Sequence, residues 1–195
     1  MSALRVTFLA LSLVVSLALI SCASVSGGVS SSVPALASSD SGYLPVLQKW
    51  HRSESVYSMF QKRIEVHAVM LTAEFRTAYM ERAAKIWGEG QQAFDSSIGS
   101  RVGFLVSFST PDRPYEFLED KRLWVLSLNY GGTKVSNPEV RSLADKAVLD
   151  PFFPFVNQWS REYLVAFDPA MGSSLPQSVS LSLKSALAGV ELEWR

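Results

Sequence analysis

Cysteine is nearly absent: the chain of 195 residues holds one, Cys22. A disulfide framework is thereby excluded. Histidine is almost as scarce, with only His51 and His67 present. Two histidines nearly exclude a histidine-based metal cage. An excess of charge is missing too, since 18 basic residues balance 18 acidic ones. No basic field exists to hold nucleic acid, and no polybasic patch exists to hold an anionic membrane. The short motifs of common chemistry are also missing. No G-x-S-x-G elbow appears. The Gly27-Gly28, Gly88-Glu89-Gly90 and Gly131-Gly132 sites lack the Lys-Ser/Thr and strand–helix context of a phosphate loop. No run of spaced carboxylates marks a calcium loop, and Asp145, Asp150 and Asp168 stand isolated. Apolar residues, by contrast, are plentiful. At 48 % hydrophobic and 11 % aromatic, the chain can bury a substantial core.

Those apolar residues are unevenly placed. Val6 to Ile20 is almost purely apolar, broken only by Thr7, Ser12 and Ser16, and Arg5 precedes it. A positive start and a short apolar run read as a secretory signal peptide, too short to span a bilayer comfortably. Leu19-Ile20-Ser21-Cys22 then resembles the lipobox of bacterial lipoproteins, with the only cysteine closing the apolar run. The resemblance covers residues 1–22. It implies that a diacylglycerol is attached to the Cys22 thiol, that the chain is cut before Cys22, and that the new amino group receives an N-acyl lipid. No other cofactor is expected. Several acyl chains would make membrane attachment permanent. Ala23 follows the cysteine where an Asp would favour inner-membrane retention, so the outer membrane is the expected address. An ordinary signal peptide cut after Ala23 is the competing reading.

Residues 23–42 contain eight Ser and three Gly and read as a flexible tether. The remaining residues, 43–195, suit one domain. Thr72 is placed to cap a helix over 73–87, which Gly88 ends. Phe75, Ala78, Tyr79, Ala83, Ile86 and Trp87 form its apolar stripe. Val102/Phe104/Val106/Phe108, Trp124/Leu126/Leu128/Tyr130 and Tyr163/Val165/Phe167 alternate as strands. Val179/Leu181/Leu183 and Val190/Leu192/Trp194 do the same, interleaved with Ser and Glu. Residues 55–71 fit both periods, and their β-branched content favours a strand or hairpin. The expected fold is therefore mainly β: an antiparallel sandwich, Ig-like or C2-like, with one amphipathic helix covering an edge or end. Strands with one wet face argue against a membrane barrel.

Catalysis finds little support. His67 falls out of phase with Ile64, Val66 and Met70 and reads as a sheet-surface residue, while His51 reads as solvated. Neither has an evident nucleophile or acid beside it. The unusual segment is Asp150-Pro151-Phe152-Phe153-Pro154-Phe155, followed by Trp159. Its prolines exclude a central strand. Its rings either plug the end of a core or form an aromatic contact surface. Phe152, Phe153, Phe155 and Trp159, with Tyr115 in a second loop, are the candidate interaction residues. The sequence thus points to a non-enzymatic lipoprotein of the cell envelope. It would be held at the membrane by its lipid, meet an envelope protein partner, and bind no nucleic acid. The alternative is a C2-like module that takes calcium, a small ligand or lipid on the loops at one end.

Overall fold

The computed structural model describes residues 42–88, 98–168 and 176–195. The signal segment, Cys22 and nearly all of the tether lie outside the described residues. The described part is a β-sandwich of two antiparallel sheets. In chain order its elements are α1 (Tyr43–Trp50), β1 (His51–Ser58), β2 (Gln61–Met70), α2 (Ala73–Trp87), β3 (Val102–Ser109), β4 (Val125–Tyr130), β5 (Thr133–Ser136), β6 (Glu139–Leu143), α3 (Lys146–Leu149), β7 (Arg161–Phe167), β8 (Val179–Lys184) and β9 (Gly189–Trp194). One sheet runs β1-β2-β3-β7-β6, and the other runs β5-β4-β8-β9.

Alternation sets the faces. Ile64, Val66, Phe104, Val106, Tyr163 and Val165 point inward from the first sheet. They meet Leu128, Leu181, Leu183 and Leu192 of the second, forming the central core. The expected strands are all present, and residues 55–71 resolve into the β1–β2 hairpin. Gly131 and Gly132 turn β4 into β5 with φ of 58° and 88°, values that side chains rarely adopt.

The first sheet is covered on both faces, which explains the residues between its core-facing ones. Val69, Leu71, Leu105 and Leu164 face outward into a second core with Tyr43, Leu47, Phe75, Tyr79, Phe152 and Phe153. Helix α2 therefore lies on a sheet face, rather than on an edge or end. Thr72 caps it as expected, its Oγ1 accepting from the Phe75 N–H at 3.2 Å. The buried stripe differs from expectation in one respect. Ile86 is exposed, and Arg82 is buried instead. The Arg82 guanidinium donates to the Pro151 carbonyl at 2.7 Å and lies 4.7 Å from the Tyr43 ring centre. It thereby ties α2 to α1 and to the 151–153 segment. The single expected helix is one of three α-helices among the described residues: α1, of eight residues, and α3, of four, are too short to stand out by period.

Candidate functional site

Only half of the outer face is apolar. Further along the same strands the residues turn polar. His67 pairs with Ser107 across β2 and β3, Ser107 pairs with Glu162 across β3 and β7, and Glu162 pairs with Leu143 of β6. Directly paired residues share a face, so His67, Ser107 and Glu162 form one row across the sheet. The strand period sends Val66, Val106 and Tyr163 the other way, into the core.

Glu162 is 1 % exposed. Its Oε1 accepts from the hydroxyls of Ser107, at 3.2 Å, and of Ser160. Its Oε2 is buried and has no hydrogen-bond partner. Burial pushes the carboxyl above its ordinary range, and the two hydroxyls and the Lys146 charge only partly oppose this. Lys146 is held in place by the carbonyls of Asn157, at 2.8 Å, and Ser160.

This carboxyl lies in the wall of a half-open cleft of about 900 Å³. Four basic side chains line the cleft, Lys62, Arg113, Lys146 and Arg161, against the carboxyls of Glu116 and Glu162. Arg161 pairs with Glu116 at 2.7 Å and lies over the Phe117 ring. Trp159 also lines the cleft and is 79 % exposed. Its position is fixed by a turn in which Asn157 Oδ1 accepts the Trp159 and Ser160 N–H groups at 2.8 and 3.1 Å. The cleft therefore presents an exposed aromatic ring and several cations, with the buried Glu162 carboxyl in its wall.

Beside the row, His51 Nε2 and His67 Nδ1 lie 3.1 Å apart, and both rings stack on Phe155. His51 is buried, contrary to the solvated position expected from sequence. Desolvation, followed by the charges of His67 and Arg52, pulls its pKa down to about 3. His67 is lowered by burial as well, with Glu65 opposing.

The candidate interaction residues separate into classes. Phe152 and Phe153 are fully buried in the second core and present no surface, as a plug would. Phe155 is partly buried under the histidines, and Tyr115 packs edge-on to Trp124 at the margin of the central core. Trp159 alone among them is broadly exposed. Asp145 caps α3 through the Ala147 N–H at 3.1 Å, and Asp150 and Asp168 are exposed. Glu162, Ser107 and Ser160 escaped the sequence reading. The only signal was phase: Ser107 and Glu162 sit one residue away from core-facing Val106 and Tyr163. Comparison with family models, with curated proteins and with solved structures finds no match to this chain.

Proposed function

We propose that this chain is a lipoprotein of the bacterial cell envelope, anchored through lipid on Cys22, and that its sandwich is a non-enzymatic interaction module. On this reading the cleft over Glu162 receives a segment of an envelope protein. The observation that carries the assignment is the Glu162 Oε2 atom, buried and unpartnered in the wall of an open cleft. A buried polar atom without a partner is costly, and a bound segment that reaches it with a hydrogen-bonding group lowers that cost. The exposed Trp159 beside it supplies the large, rigid aromatic contact that interfaces favour. Ser107 and Ser160 both spend their hydroxyls on the carboxylate, and the His67 ring that neighbours Ser107 across the sheet directs its Nδ1 to His51 instead. That arrangement suits recognition better than nucleophilic attack.

A photo-crosslinking residue in place of Trp159, in intact cells, tests the assignment. The same residue at Lys134, on the other sheet, serves as control. A defined protein adduct at 159, absent at 134 and lost when Glu162→Gln is added, is expected. An adduct indifferent to Glu162, or equal at both positions, would count against the cleft.

A further inference from the structure

The β1–β2 hairpin outreaches its own sheet. Pairing between β2 and β3 ends at Glu65 with Ser109, whereas β1 and β2 stay paired to Ser58 and Gln61. Four residues of β2, Gln61 to Ile64, thus run on past the last β3 pair, about 13 Å at the usual strand rise. The 110–112 loop braces this extension as far as Arg63. Thr110 Oγ1 donates to the Arg63 carbonyl at 2.8 Å, and Asp112 pairs with the guanidinium at 3.2 Å. Beyond that brace stands a free finger.

Its tip is the most exposed apolar group among the described residues. Phe60 is 103 % exposed, Met59 91 % and Tyr57 60 %. The turn itself runs against the sequence placed in it. Met59 and Phe60 have φ of 49° and 64°, the left-handed region that two-residue hairpin turns demand and that Asn and Gly fill most easily. Large apolar side chains here help neither the turn nor any core. From Tyr57 to Gln61 the tip also carries no charge. The first cations, Lys62 and Arg63, come immediately behind it.

We infer that this finger dips into a lipid bilayer, with Tyr57, Met59 and Phe60 in the interfacial layer and Lys62 at headgroup depth. The inference rests on the proposed anchor, which places the chain at a membrane through residues that precede the sandwich. A bilayer fits the tip better than a protein does. Three side chains offer about 400–500 Å², below the roughly 800 Å² per partner of a stable protein interface. An uncharged apolar tip with an amphipathic tyrosine at its shoulder matches the composition of membrane interfaces. An inserted finger would also hold the mouth of the Glu162 cleft near the lipid surface, where a membrane-bound partner lies.

The test uses the full chain, exported and lipid-modified in a bacterial host and then reconstituted into vesicles of phosphatidylethanolamine and phosphatidylglycerol. With Cys22 alkylated, a second cysteine is the only free thiol. An environment-sensitive fluorophore is placed at Ser58→Cys beside the tip, or at Thr133→Cys at the opposite end of the sandwich. The expected result is blue-shifted emission at 58, with quenching by doxyl-labelled lipid several-fold stronger than at 133. Met59→Ser with Phe60→Ser should return the 58 label to the aqueous value while the protein still floats with the vesicles. Phe60→Asn, which suits the positive φ, is a second variant expected to weaken quenching without disturbing the fold. Equal, water-like emission at 58 and 133 in floating protein would overturn the finger and leave the anchor standing. Protein with its native residues that does not float, or whose Cys22 reacts with maleimide, would overturn the anchor and with it the finger.

Discussion

His51 Nε2 and His67 Nδ1 lie 3.1 Å apart, within hydrogen-bond distance, in nearly parallel rings. Two imidazolium rings would point N–H at N–H across that gap, so the folded state disfavours protonation. The unfolded chain does not. Each histidine therefore contributes stability that is fully present above about pH 6.5 and is lost as pH falls toward the folded value, about 3 for His51. At pH 4 the His51 loss amounts to about 3 kcal/mol. Urea denaturation at pH 7 and pH 4 should show that difference, and His51→Phe should remove most of it. An equal acid loss in the variant would show that the pair does not titrate as described.

Glu162 has the opposite sign. Its carboxyl is raised by burial, so folding favours the protonated form. Its contribution is greatest below the unfolded value and declines as pH rises through the raised one. The Tm of Glu162→Gln relative to that of the native chain should rise as pH increases above the ordinary carboxyl range, because the amide has no charge to desolvate. A difference that stays constant with pH would mean that the carboxyl is better solvated than its burial implies.

The aromatic segment gives a contrast in stability. Phe152→Ala should cost about 3–5 kcal/mol, since its ring is fully buried against Tyr43 of α1 and Tyr79 and Trp87 of α2, its centre 4.4 Å from that of Tyr79. Trp159→Ala should change stability by no more than about 0.5 kcal/mol, because most of its surface already meets water. Thermal melts of the two variants read both. A large loss at Trp159 would show that it serves the fold rather than the mouth of the cleft.

Substituting the finger for a good turn should stabilise the domain. Met59→Asn with Phe60→Gly relieves two left-handed side-chain residues, for a gain of about 1–2 kcal/mol. A stability gained by removing the native residues would mean that Met59 and Phe60 are kept for something other than folding. A loss on denaturant titration would mean that the tip packs in a way its exposure denies.

Strand phase was the most legible feature of the sequence, and the sandwich follows from it. The Val106/Phe108 and Val165/Phe167 alternations give the inner faces, and Glu191 and Glu193 give β9 a wet outer face. The β5 and β6 strands escaped because edge strands carry mixed, polar sequences such as Thr133–Ser136. What the alternation could not reveal was the second layer. Leu105 and Leu164 occupy nominally outer positions, yet α1, α2 and the Phe152–Phe153 segment cover them. Later segments complete the site: Phe155 stacks on His51, and Ser160 and Lys146 lie against Glu162, which is buried rather than a wet sheet residue. Both outcomes depend on contacts between segments far apart in sequence, to which local periodicity is blind. The tip at Met59 and Phe60 was hidden for a different reason: its residues are apolar, and composition alone assigns such residues to a core.

The central claim is that lipid on Cys22 ties this module to the envelope, and metabolic labelling tests it most directly. Cells that express the chain are grown with radioactive palmitate, and the protein is recovered from the membrane fraction. The account expects label on the chain carrying its native Cys22 and none on Cys22→Ser. Label that persists in the variant, or its absence from both proteins, would contradict the anchor.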